Sequence, residues 1–172
     1  MHRLNNESQE KLFIFLDQGI FRRMGESEGW HKAKVRIVMA TTEDLASNFL
    51  DTFLRRVPIV VEIPDLMERG YQERMQFIYR FFIQESKVLE RTFSVSGNVL
   101  DALAGHNFKG NVGELQNTIK YLCATTYAKN KEKEKIALRL GDLPDEIISE
   151  IAQNDGMKIK KSQEVLITPE SR

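Results

Sequence analysis

The sequence predicts an α/β portion followed by a small helical subdomain, and three observations predict it. Two short runs, VRIVMAT at residues 35–41 and VPIVVEI at 57–63, are rich in β-branched residues and apolar at nearly every position. That pattern suits strands buried on both faces of a parallel sheet. After Pro64 the spacing becomes helical: Met75, Ile78, Tyr79, Phe82 and Ile83 follow the i, i+3, i+4, i+7, i+8 rule. The expected organisation is a core portion over 1–64, a helical unit over 65–130, and a linker with a partly disordered tail over 131–172.

Each element has a local reason. Residues 6–18 read as a helix with Leu12, Phe13 and Leu16 on one face. Asn6 and Gln9 stand at capping-box spacing, and Gly19 is its expected stop. Phe21-Arg22-Arg23-Met24-Gly25 and the polar GESEGWHKAK follow as turn and loop. Asp44 is placed to cap a helix over about 45–55, in which Leu45, Phe49 and Phe53 recur every fourth residue. Arg55 and Arg56 end it, where cations complement the helix dipole. Pro58 enforces extended backbone before it, and Pro64 closes the second strand. A helix over about 97–105 carries Val99, Leu100 and Leu103. Another, opened by GNVGEL at 110–115, turns Leu115, Ile119, Leu122 and Tyr127 inward. Lys131 to Lys135 reads as a solvated connection. IALRL at 136–140 reads as a short strand, and Asp142 and Pro144 as helix-start residues before Ile147, Ile148 and Ile151. From Gln153 onward few apolar residues remain, which predicts a mobile tail. No internal repeat is evident.

Composition narrows the function class. The 172 residues carry 25 basic and 25 acidic side chains and a formal charge of zero, with 41% apolar residues. A packed core is possible, and the broad basic footprint of a nucleic-acid-wrapping protein is missing. A single cysteine, Cys123, excludes an internal disulfide framework and a cysteine-based zinc site. It reads as a small core residue. His2, His31 and His106 share no ligand spacing, so no metal site is expected. There is no apolar run of about 18 residues, and the opening MHRLNNESQEK lacks the apolar stretch of a signal peptide. A soluble cytoplasmic protein without membrane contact is expected.

The chemistry-bearing residues are few. GNVGEL opens an amphipathic helix, yet no phosphate-cradling GxxxxGK[ST] occurs anywhere in the chain. Within it, Asn111 is suited to cap the helix, with Glu114 three residues later, so Gly110, Asn111 and Glu114 read as structural. Thr41 and Thr42 lie at the end of the first apolar run, where open α/β sheets bind ligands, although threonines also end strands for backbone reasons. Arg55 and Arg56 combine permanent charge with a forked donor set suited to phosphoryl oxygens. Paired arginines also serve simply as a cationic helix end.

In order and spacing these segments resemble the sigma-54-dependent transcriptional activators, a branch of the AAA+ ATPases, over residues 2–128. SQEKLFIFLDQGIFRRMGE looks like the segment after the Walker B acids, VRIVMATTEDL like the sensor-I strand, FLDTFLRRVPIVVEIPDLMER like the arginine-finger helix and following strand, and NFKGNVGELQNTIKYL like the start of the sensor-II helix. A shortened loop after the sensor-I strand, the FLRRVP string and Gly113 resemble the LevR-like subfamily, regulators of sugar phosphotransferase operons.

The resemblance implies an incomplete AAA+ P-loop core with two parallel strands plus helices, followed by a three-helix lid. It implies that Thr41 or Thr42 is the nucleotide sensor of the first strand. Arg55, or Arg56, is implied to act as an arginine finger on a neighbouring subunit's ATP. Phe49 stands near the position of the family's first finger. Gly113 replaces the sensor-II arginine, leaving Gly110 and Asn111 as what remains of that nucleotide-facing region. Phe108 and Lys109 replace the usual Trp-Pro. Arg22, Arg23 and Arg69 are further basic positions in matching turns, open either to contact with a neighbouring subunit or to the ordinary reading of exposed arginines without a measurable role.

The intact protein is expected to bind ATP and Mg²⁺, to form rings with other AAA+ protomers, and to remodel RNA polymerase holoenzyme carrying sigma-54. The sigma-contacting loop and both Walker motifs lie in the family's upstream part, so this chain alone is expected to be inactive, to hold no cofactor and to touch no DNA. The alternatives are a truncated, non-enzymatic module that inserts into rings of an intact activator, and a fragment without function. In the family's sheet the first strand lies between the fourth and fifth, so the two strands here lack their shared neighbour.

Overall fold

The computed structural model describes residues 5–26, 29–153 and 163–171. The chain divides into two compact units, 1–62 and 63–172.

The first unit is built around helix α1 (Asn6–Gln18). Its cap lies one residue earlier than expected: the Asn5 side chain accepts the Ser8 N–H at 2.9 Å, satisfying one of the orphan donors of the first turn. Gly19 ends the helix as predicted, with φ +67 and its N–H on the Phe15 carbonyl. The chain then forms a hairpin in place of the expected loop. β1 (Ile20–Phe21) pairs antiparallel with β2 (His31–Lys32). The Ala33 N–H reaches the Gly19 carbonyl at 2.8 Å, and a side chain at Gly19 would meet that same Ala33 backbone at 3.1 Å.

The helix expected over 45–55 is split into α2 (Leu45–Asn48) and α3 (Asp51–Leu54). Asp44 caps α2 by accepting the Ser47 N–H at 2.8 Å. Phe49 and Leu50 between the two helices are extended. The break is stabilised from outside by the side chain of Gln9, which is 2% exposed. Its amide donates to the Asn48 carbonyl at 3.3 Å and accepts the Leu50 N–H at 3.1 Å. Both backbone groups at the interruption are thereby satisfied. Phe49 and Phe53 keep the predicted apolar stripe, buried and stacked 6.0 Å apart.

The two predicted strands of this portion are corrected. Neither 35–41 nor 57–63 forms a ladder. Val38 is 90% exposed, Ile59 78% and Val61 75%, although their composition suits burial on both faces. The physical reason is pairing: a strand exists only where another strand takes its backbone hydrogen bonds, and among the described residues none is offered to either segment.

The second unit holds the main core. α4 (Tyr71–Leu89), α5 (Gly97–Gly105) and α6 (Asn111–Lys129) appear as predicted. Ile78, Phe82, Leu103, Leu115, Ile119 and Leu122 are buried in one cluster. Between α4 and α5 runs β3 (Thr92–Ser96), which the sequence reading left unassigned. It is the central strand of a three-stranded sheet, parallel to β4 (Lys135–Leu138) and antiparallel to β5 (Glu164–Ile167). β4 overlaps the predicted strand, starting one residue earlier and ending two residues sooner. Leu140–Asp142 forms a 3₁₀ turn before α7 (Asp145–Gln153), with Pro144 at the entry.

The expected mobile tail is corrected in part. β5 docks on β3 with Ile167 in the core, and the Ser94 hydroxyl donates to Glu164 Oε2 at 2.5 Å. The sparse apolar residues there suffice because the edge of β3 supplies backbone partners. The part of the tail over 154–162 lies outside the described residues. The overall class remains α/β, and the parallel pairing found among the described residues lies in the second unit.

Two expected outcomes follow. Amides of 35–41 and 57–63 exchange within the fast regime while those of β3 are strongly protected; equal slow exchange in all three would contradict this arrangement. The second concerns Tyr71, whose hydroxyl donates to Asp101 Oδ1 at 2.6 Å. That bond needs the neutral phenol and pushes its pKa from 10.0 up to about 12. Its contribution is therefore complete below pH 10 and is lost as pH rises through 12. In denaturant titrations across that window, Tyr71→Phe shows a shallower loss of stability than the parent.

Candidate functional site

In the first unit, the residues singled out from sequence lie on the segments flanking the short helices. Arg55 is the C-cap of α3, its N–H on the Asp51 carbonyl. Its exposed guanidinium has no hydrogen bond or ion pair among the described residues. Arg56 differs. It forms an ion pair with Asp17 Oδ1 at 2.7 Å, and its guanidinium sits 5.6 Å from the Phe13 ring centroid. Two contacts from α1 therefore engage Arg56. Thr41 is half-buried, and its hydroxyl accepts the Glu43 N–H at 3.2 Å in a local turn. Thr42 is exposed and makes no hydrogen bond among the described residues. No hydrogen bond joins either threonine to either arginine.

The other arginines of the matching turns are engaged within their own units. Arg22 lies 4.2 Å from the Trp30 ring centroid, and Arg23 pairs loosely with Glu26 at 3.9 Å. Arg69 pairs with Glu73 and lies over Phe77 at 5.2 Å.

In the second unit, GNVGEL forms the entrance to α6. Gly110 is the N-cap residue, and its own N–H is accepted by Glu114 Oε2 at 2.7 Å. This is the reach-back half of a capping box, displaced by one residue from the predicted Asn111. A side chain at Gly110 would meet Glu114 Cβ at 2.9 Å, so this closed cap requires glycine. Asn111 is already the first helical residue, with φ +60, in the left-handed region that asparagine tolerates best after glycine.

The Asn111 amide does something the sequence did not reveal. Its Oδ1 accepts the N–H groups of Leu66 at 2.8 Å and Val112 at 3.0 Å, and its Nδ2 donates to Asp65 Oδ1 at 2.5 Å. Nothing in periodicity signals a bond across 46 positions.

An open groove of about 650 Å³ runs along α6 past Gly110, Gly113, Asn117 and Tyr121 to Pro144. Gly113 has open space where a side chain would stand. The groove's acidic residue, Glu114, already spends an oxygen on Gly110, and no basic side chain lines it. This groove therefore offers no positive charge to a phosphate. Cys123 is fully buried on the other side of α6, and burial pushes its thiol well above the usual range, which leaves it an unreactive core group. Among the described residues no helix is long and apolar enough to cross a membrane.

Two family descriptions match this frame. The AAA+ ATPase lid domain matches residues 72–160, and the sigma-54 interaction domain matches residues 1–58. The chain belongs to the sigma-54-interacting AAA+ ATPase family.

Among curated relatives, it is 40% identical over 151 residues to the transcriptional regulatory protein LevR of Bacillus subtilis (strain 168), covering 87% of this chain and 16% of LevR. It is 35% identical over 154 residues to the transcriptional regulatory protein DagR of Salmonella typhimurium (strain 14028s / SGSC 2262), covering 90% of this chain and 16% of DagR. The chain thus spans about a sixth of the length of these two regulators. The crystal structure of NtrX from Brucella abortus in complex with ATP superimposes with a TM-score of 0.67 at 23% identity, over 86% of this chain and 34% of NtrX. That likeness establishes the AAA+ fold.

Two substitutions test the entrance to α6. Gly113→Arg fills open space in a helix and raises the melting temperature, by up to about 1 kcal/mol of helix propensity. Gly110→Ala displaces Glu114 and lowers stability by about 1–2 kcal/mol. Thermal unfolding of both variants decides; a destabilised Gly113→Arg would deny that the position is open.

Proposed function

We propose that this chain supplies the trans-acting half of an ATPase site in a sigma-54-dependent activator, with Arg55 as the finger. Charge accumulates on the equatorial oxygens of a phosphoryl group during transfer. A guanidinium brought in from a neighbouring subunit stabilises it, contributing on the order of 10³ to 10⁵ in rate. One observation carries the choice of residue: of the two adjacent arginines, Arg56 is engaged by Asp17 and Phe13, whereas Arg55 extends into solvent with no partner among the described residues. A finger has to be uncommitted in its own subunit in order to reach another.

In this reading ATP and Mg²⁺ are held by the neighbour's Walker motifs, Thr41 and Thr42 lie near the nucleotide of their own subunit, and Gly113 contributes no phosphate contact. The protomers form a ring. ATP hydrolysis drives remodelling of RNA polymerase holoenzyme carrying sigma-54 through a loop outside this segment. The likeness to LevR supports control of a sugar phosphotransferase operon. A non-enzymatic module that inserts into rings of an intact activator would present the same exposed faces but supply no finger.

The experiment mixes this chain with an intact ring-forming relative whose own finger arginine is substituted. Expected is recovery of ATPase activity, lost by about 10³-fold on Arg55→Ala and largely kept on Arg56→Ala. Co-assembly without recovered hydrolysis would reject the finger and favour the non-enzymatic module.

A further inference from the structure

We infer that Asp17 is a positioning residue: by holding Arg56 it clamps the end of α3 against α1, and so fixes the backbone from which the adjacent Arg55 guanidinium extends. The inference rests on the finger reading above and names the carboxylate on which that finger's placement depends. Asp17, Arg55 and Arg56 all belong to the first unit.

Gln9, Phe13 and Asp17 recur at every fourth position of α1, so they follow one another along one face of that helix. All three act on the segment that carries Arg55. Gln9 holds Asn48 and Leu50 ahead of α3. Phe13 and Asp17 hold Arg56 behind it, the carboxylate at 2.7 Å and the ring centroid at 5.6 Å from the guanidinium. Gln9 and Asp17 stand roughly 12 Å apart along the axis of α1. Two grips that far apart fix a direction as well as a point, whereas either alone leaves a pivot. Between them the turn is continuous: Phe53 is fully buried, the Arg55 N–H reaches the Asp51 carbonyl at 3.1 Å, and the Arg56 N–H reaches the Phe53 carbonyl at 3.0 Å.

The needs of α1 itself do not explain Asp17. It stands in the last turn of that helix, where a negative charge opposes the helix dipole. A neutral residue would suit α1 better, and what the carboxylate gains there is the Arg56 guanidinium. Both partners are partly exposed, so the ion pair favours the held geometry only by up to about fivefold. That is small for the stability of a unit and large for a reacting group, because a misplacement on the order of 1 Å already slows a positioned reaction. Arg55 is the C-cap of α3 and the next residue to Arg56 in the chain, so freedom given to one is freedom given to the other.

Three variants of the full chain test this: Asp17→Ala, Arg56→Ala, and the two together. In mixed rings with the finger-substituted relative, each single variant is expected to lower kcat by about three- to fivefold, as for one exposed ion pair. KM for ATP stays constant, because the clamp acts on a group that works only in the transition state. The double variant loses no more than Arg56→Ala alone, since both substitutions break the same link. Losses of this size leave Arg56→Ala far more active than Arg55→Ala. Amide exchange at Arg56 quickens by a similar factor in all three variants, while amides in the middle of α1 are unchanged.

Faster exchange at Arg56 with full mixed-ring kcat would make Asp17 merely structural and overturn the inference. Losses that multiply in the double variant would give Asp17 a role that does not pass through Arg56, and overturn it equally. Unchanged exchange would deny the clamp itself. Mixed rings without hydrolysis even for the parent chain would reject the finger reading, and the positioning role with it, while exchange at Arg56 still reports on the clamp.

Discussion

A backbone N–H or C=O taken out of water has to find a partner, and the two units of this chain meet that requirement in different ways. In the second unit β3 has a neighbour on each side: β4 joins in parallel from beyond α6, and β5 returns antiparallel from the end of the chain. Phe93 and Val95 are consequently sealed in the core. In the first unit the most strand-like sequences have no such neighbours among the described residues, and most of their apolar side chains, Val38, Ile59 and Val61 among them, stay in solvent. Side-chain character alone does not build a sheet; pairing does.

The same accounting explains which parts of the fold could be read in advance. α4, α5 and α6 each bury their own backbone polarity, so the spacing of Ile78 and Phe82, or of Leu115, Ile119 and Leu122, suffices to locate them. β3 was missed because Thr92-Phe93-Ser94-Val95-Ser96 is only five residues with two apolar members, and its identity depends on partners some 40 and 70 positions away. β5 was read as tail for the same reason. The hairpin of β1 and β2 rests on two residues a side, below what alternation can signal. The segment 57–63 has strand composition and no strand, the converse failure.

The candidate site was legible to a different degree. Arg55, Arg56, Thr41, Thr42 and GNVGEL were all visible as residues, because side-chain chemistry is written directly in the sequence. What was not visible is which groups are already engaged. Nothing in the order of residues says that Asp17 and Phe13 hold Arg56 while Arg55 is left over, or that Asn111 reaches Asp65 and Leu66. The helix-capping logic placed Glu114 correctly and was one residue off for its partner, since Asn111 is drawn into the helix by its long-range bonds.

The split between α2 and α3 has a geometric consequence for whatever Arg55 touches. Side chains on a helix advance by about 100° per residue, so two extended residues in place of two helical ones turn everything downstream to a different compass bearing. The Gln9 amide, from the opposite end of this unit's sequence, sustains that interruption by filling both of its vacant backbone valences. The bearing of Arg55 is therefore dialled by a glutamine more than forty residues upstream, and shortening that side chain by one methylene would re-aim the guanidinium without altering a single residue beside it.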